Sequence, residues 1–144
     1  MSFLSAMNIA GSGLTAQKLR MDIISENVAN INTTRTPEGG AYRRKMVVFE
    51  AKGQQFDEVF TSALTQQEDP GVRVKEVVQD ETDFTMVYDP THPDADEQGY
   101  VAMPNVDLLK ETIDMMMASR SYEANITSIN NIKLIATKAL EIGR

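Results

Sequence analysis

The chain has 144 residues, enough for one folding unit with its own core, and 42% of them are hydrophobic, 6% aromatic, nine Met and none Trp. Its formal net charge of −7 excludes general electrostatic attraction to nucleic acid, which needs lysine and arginine clustered on one face. Cysteine is absent, which excludes a disulfide framework and any thiolate metal site.

The N-terminal stretch MSFLSAMNIAGSGLTAQKLR has no basic leader and no continuous apolar run, so neither a cleavable secretory signal nor a membrane anchor is expected there. It is periodic instead. Phe3, Met7, Ala10, Leu14, Gln17, Met21, Ile24, Val28 and Ile31 recur at alternating steps of four and three, which is a heptad seam. Ser2 is a candidate N-cap, and the polar cluster after Ile31 ends in Pro37-Glu38-Gly39-Gly40, a stop. The seam therefore predicts a helix of roughly 45 Å, at about 1.5 Å per residue.

Beyond it the period changes to two. Met46 to Phe49, Val72 with Val74, and Phe84 with Met86 and Tyr88 read as strands, whereas residues 53–69 are too polar to assign. The acidic excess sits here, because between Glu50 and Pro104 only Lys52, Arg73 and Lys75 oppose the carboxylates.

After Pro104 the seam resumes, with Asn105 as the expected cap and Asp107 complementing the positive helix end. Met115, Ala118, Tyr122, Asn125, Ile129, Ile132, Ala136 and Ala139 continue it, and Gly143 is the expected stop after roughly 55 Å. The expected fold is mainly α with a small β-rich insert, the N- and C-terminal helices pairing in a coiled-coil-like axial domain. Residues 1–31 and 105–144 form a discontinuous helical part, 32–49 an Asn-rich, basic loop with the first strand, and 50–104 the acidic insert and connector.

One seam does not use all the apolar residues. Leu109, Ile113, Met116, Met117, Ile126, Ile135 and Leu140 lie off the C-terminal seam, and Ile9, Leu19 and Ile23 off the N-terminal one. Such helices need further neighbours, which copies of the same helices would supply. Gly11 and Gly13 weaken the first helix by about 1 kcal/mol each and permit close backbone approach. A monomeric bundle capped by a hairpin remains the simpler alternative, and the run Met115 to Met117 reads as core filler, not as a cofactor site.

Residues 27–44, NVANINTTRTPEGGAYRR, resemble the signature near the N-termini of flagellar rod and hook axial proteins, and the TRTPEGG continuation resembles the proximal-rod members. DPTHPDAD at 89–96, Gly99-Tyr100-Val101 and Pro104-Asn105-Val106 are similar to that family's connector into the last helix. ASRSYEAN at 118–125 and KALEIGR at 138–144 are similar to the helix itself. Ala41 stands where the family pattern has proline. The resemblance implies a structural, non-enzymatic subunit exported through the flagellar type III apparatus and polymerised in the periplasmic rod of the basal body. Its partners would be copies of itself and other rod proteins, with no cofactor, metal, small-molecule substrate, nucleic acid or inserted membrane.

Under that resemblance Phe3, Met7, Leu14, Met21, Ile24, Val28, Met115, Tyr122, Ile129 and Ile132 are the helix-packing positions. Asn27, Asn30 and Asn32 carry donors and acceptors that can satisfy either helix-end carbonyls or a neighbouring chain. Arg35, Arg43, Arg44 and Lys45 form the basic cluster, expected to answer acids on the next subunit or else to be a solvated strand end. Arg120 and Asn125 are further candidates for polar contacts between subunits, Arg120 because an unpaired buried charge is costly. His92 among Asp89, Asp94 and Asp96 could suggest a metal or acid–base pair, but one His between two prolines reads more simply as a stiff turn. The rival functions are an acidic enzyme built on that turn and a free helical adaptor or export chaperone.

Overall fold

A computed structural model describes residues 3–52 and 71–142, so the expected cap Ser2, the expected stop Gly143 and the unassigned segment 53–69 lie outside the described residues. Helix α1 spans Phe3–Ala29 and helix α2 spans Leu108–Ile142. Between them lie β1 (Lys45–Ala51), β2 (Val72–Gln79), β3 (Thr85–Tyr88) and β4 (Tyr100–Met103). The two long helices pack together with small antiparallel sheets inserted between them in the chain.

The helices run antiparallel, an orientation the periodicity left open. Asn27 near the end of α1 meets Glu111 near the start of α2, Arg20 meets Asp114, and Gly13 faces Asn125. Gly13 is there for proximity, because a Cβ on it would lie 2.9 Å from the Asn125 side-chain nitrogen, whereas one on Gly11 would meet nothing within 4 Å.

Two helix boundaries differ from expectation. Helix α1 stops at Ala29, two residues before Ile31. The Asn30 N–H makes the last α-helical bond, to the Glu26 carbonyl at 3.1 Å, and the Asn30 side-chain amide shares that carbonyl at 2.9 Å. The next N–H, of Ile31, turns to the Val28 carbonyl three residues back at 3.3 Å. The cap of α2 is Asp107, whose carboxylate accepts the Leu109 N–H at 2.9 Å and the Lys110 N–H at 3.4 Å. Asn105, the expected cap, instead accepts the Arg44 N–H at 2.8 Å and donates to the Asp80 and Thr82 carbonyls, tying the end of β2 to the start of α2.

Strands β1 and β2 pair antiparallel from Lys45 opposite Gln79 to Ala51 opposite Val72, with a register shift between Val48 and Phe49. Ser12 of α1 anchors the far end of this hairpin: its hydroxyl accepts the Val72 N–H at 3.0 Å and donates to the Ile9 carbonyl at 2.8 Å. Strands β3 and β4 make a second antiparallel ribbon, in which Tyr88 and Tyr100 pack edge to face at 5.3 Å. Strand β4 was not expected, since four residues with one buried side chain, Val101, show no readable alternation.

The contrast between the two glycines gives a test. Gly11→Ala should stabilise the chain by about 0.5–1 kcal/mol in denaturant titration, the ordinary helix-propensity gain, while Gly13→Ala should gain less because Asn125 has to move.

Candidate functional site: a buried polar cluster and an exposed helix face

The deepest part of this molecule is polar. Glu111, Val101 and Asn27 are the largest fully buried side chains among the described residues. Asn27 is hydrogen-bonded at every position its amide offers. It accepts the Tyr42 hydroxyl at 3.0 Å and the Lys45 N–H at 2.9 Å, and it donates to the Lys45 carbonyl at 2.9 Å and to Glu111 Oε2 at 3.0 Å. By pairing with both backbone groups of Lys45, the side chain acts as a one-residue strand partner at the start of β1.

Glu111 Oε1 accepts Arg44 Nε at 2.7 Å, so both carboxylate oxygens are satisfied although the residue has no solvent exposure. The Arg44 guanidinium also reaches Asp80 at 3.6 Å and Asp114 at 3.5 Å, and Asp114 turns to Arg20 at 3.2 Å. Hydrogen bonds from the Thr82 N–H and hydroxyl, with Arg44 alongside, hold the Asp80 carboxyl below its usual range. Burial pushes the Tyr42 phenol up to about 12, and the Glu26 and Glu111 carboxylates add to that.

The basic residues read from sequence as contacts to a neighbouring subunit are engaged inside the chain. Arg44 belongs to the buried cluster, and Lys45 pairs with Glu26 at 2.6 Å. Arg43 stacks 4.5 Å over the Phe84 ring and donates to the Asp80 and Thr82 carbonyls. Arg35 is exposed and lies 3.9 Å from Asp94. The physical reason is proximity in the fold: strand β1 starts beside the carboxylates of α2 and of the turn after β2.

Of the asparagines, Asn27 is internal, Asn30 caps α1, Asn32 is exposed and Asn125 is half-buried against Gly13. Arg120 is exposed and Tyr122 half-buried. Among the packing positions Ile24 is buried, Met7, Leu14, Met21, Val28, Met115, Ile129 and Ile132 are half-buried, and Phe3 is exposed. Glu111 was missed, although stepping the α2 seam back four residues from Met115 lands on it.

Histidine 92 sits in a turn. Its Nδ1 accepts the Asp94 N–H at 3.1 Å, while Asp89 takes both the hydroxyl and the N–H of Thr91, bonds that hold its carboxyl below the usual range. No group of His, Cys, Asp or Glu able to hold a metal occurs among the described residues, and no described helix is long and apolar enough to cross a membrane.

The outer face of α2 is the opposite of the cluster. Leu109, Ile113, Met116, Met117, Ile126, Ile135 and Leu140 are all exposed, from 38% for Ile126 to 76% for Leu140. Met116 and Met117 thus lie outside the core that the methionine run was expected to fill, because only one face of α2 meets α1.

A family model described as Flagella basal body rod protein matches residues 7–35, and another, Flagellar basal body rod FlgEFG protein C-terminal, matches residues 97–142. The chain is 45% identical to the flagellar basal-body rod protein FlgC of Bacillus subtilis (strain 168), over the full length of both. It is 43% identical to that of Borreliella burgdorferi, over 99% of this chain and 98% of the relative. It is 39% identical to that of Escherichia coli O157:H7, again over the full length of both. The chain belongs to the FlgC family of flagellar basal-body rod proteins. Within this family member, Asn27 comes from the first matched segment, Glu111 from the second, and Arg44 from the stretch between them.

Truncating one partner of the cluster strands the others. Arg44→Ala should cost about 3–5 kcal/mol in thermal unfolding, since it leaves the buried Glu111 charge without its cation, whereas Glu111→Ala should cost less because Arg44 keeps Asp80 and Asp114. The neutral Tyr42 phenol is favoured by the fold, so its contribution is fully present below the ordinary value of 10.0 and is lost as pH rises through about 12. Tyr42→Phe should therefore flatten the fall in stability across that window, measured by denaturant titration at fixed pH.

Proposed function

We infer that the chain is a structural subunit of the flagellar basal-body rod, packing through its terminal helices against copies of itself and other rod proteins. The observation that carries this reading is the outer face of α2: a 35-residue helix whose off-seam aliphatics are all exposed, in a chain of this family. A lone molecule would keep that surface in water. Neighbouring helices would bury it, each large aliphatic contributing roughly 1.5–3 kcal/mol on full burial.

On this reading α1 and α2, within 1–31 and 105–144, are the coiled-coil-like axial part that transmits torque and lines the export channel. The signature loop and first strand, 32–49, join it to the acidic insert, 50–104, which lies further from the axis. The rod lies in the periplasm, reached through the flagellar type III apparatus, and the subunit is not an enzyme. Phe3, at 42% exposure, and the exposed Asn32 and Arg120 are the inter-subunit contacts among the packing and polar positions. Asn27 and Arg44 hold the subunit together.

Ile113→Asp with Met117→Asp tests the proposal, since both side chains are exposed, at 49% and 56%, and make no part of the cluster. The purified variant should keep its helical circular dichroism and melting temperature, while cells carrying it lose swimming and rod assembly. Normal flagella in those cells would reject the assembly role of this face.

A further inference from the structure

A seam that repeats every seven residues has no intrinsic origin. Sliding α1 along α2 by one heptad brings aliphatic positions opposite aliphatic positions again. Large buried landmarks are scarce: the buried apolar residues on the two helices are Ala10, Ala16, Ala118 and Ile24. Gly13 against Asn125 marks the register weakly, because Ala118, one heptad earlier, is smaller than Asn125 and fits a glycine equally well.

Glu111 is the feature that does not repeat. Its heptad equivalents on the seam are Ala118, Asn125 and Ile132, none of them charged. A slip of one heptad moves it roughly 10 Å along α1, at about 1.5 Å per residue, away from Asn27 and from Arg44, which β1 holds in place. Asn27 cannot follow, since its other three hydrogen bonds bind it to Tyr42 and Lys45. A slip that sets Gly13 against Ile132 carries Glu111 past the end of α1 and strands its carboxylate, while the opposite slip sets Glu111 against Arg20, which answers the charge. Either way Asn27 and Arg44 lose the carboxylate between them, and the apolar contacts remain nearly equivalent.

We propose that the Glu111–Arg44–Asn27 cluster is a register lock: it selects which heptad of α1 faces which heptad of α2, and so fixes where the exposed face of α2 stands relative to the two β hairpins. A buried ion pair contributes little net stability beside apolar groups of similar volume, yet a misplaced one is strongly unfavourable, so this cluster discriminates between registers more than it stabilises any one of them. The lock concerns the free chain and stands whether or not the rod reading does.

The chain contains no cysteine, so engineered pairs report register without background. Gly13→Cys with Asn125→Cys reports the native alignment. Gly13→Cys with Ile132→Cys, and Ala6→Cys with Asn125→Cys, report a one-heptad slip in either direction. In the otherwise unaltered chain, mild oxidation should join the first pair and leave the other two near background. With Arg44→Met and Glu111→Met together, circular dichroism should stay helical and the slipped linkages should rise by roughly tenfold or more. Glu111→Gln keeps the shape but can accept only one of the two donors that Arg44 and Asn27 present, so it should raise the slipped linkages by less than the double variant does. A helical double variant that links only the native pair overturns the lock. Loss of the helical signal overturns it as well, since the cluster would then carry the stability of the pair and not its register.

Discussion

A carboxylate with no solvent exposure organises this fold. Glu111 on α2 is tolerable inside because Arg44 and Asn27 meet both its oxygens, and those two residues come from the start of β1 and the end of α1. The three elements must therefore arrive together, since any one missing leaves an unpaired polar group where water does not reach. Asn27 extends the constraint to the loop by accepting the Tyr42 hydroxyl and to the sheet by pairing with Lys45. Asn105, in turn, binds the backbone of Arg44 and of the turn after β2. Hydrogen bonding, more than aliphatic packing, decides how the pieces sit.

That division of labour explains the apolar distribution. With a polar cluster fixing the arrangement, the helix pair needs only a thin seam of alanines and half-buried aliphatics between its members. The larger aliphatics of α2 face outward, a costly surface for an isolated molecule and a useful one for a family whose members are rod proteins. The same economy applies to charge. Of the cations beside the signature loop, Arg44 and Lys45 are held by carboxylates within the chain, while Arg35 stays exposed beside Asp94.

Much of the architecture was legible from periodicity. Steps of three and four along Phe3 to Val28 and along Met115 to Ala136 identify both helices, period two identifies two of the four strands, and the apolar run Met46 to Phe49 marks a third. The boundaries were less so. Asn105 and Asp107 are both good cap residues, and only the hydrogen bonds of Asn105 to Arg44, Asp80 and Thr82 remove it from the competition. Strand β4 escaped because its pairing with β3, and not its own pattern, makes it a strand.

The candidate site divides along the same line. Residue types and spacing supplied the off-seam aliphatics and the basic cluster, and the family resemblance supplied the signature segment, because these are local properties of the chain. Whether Arg44 looks inward or outward is not local, for it depends on Glu111, Asp80 and Asp114, which lie from 36 to 70 positions away. A heptad pattern defines which face of a helix is apolar but carries no information on what stands opposite it. The sequence by itself therefore determined two amphipathic helices, a β insert and a family likeness. Tertiary structure decided their antiparallel order, and it made Asn27, Tyr42, Arg44 and Glu111 a single buried cluster, because a hydrogen bond requires its partners to be in place at the same time.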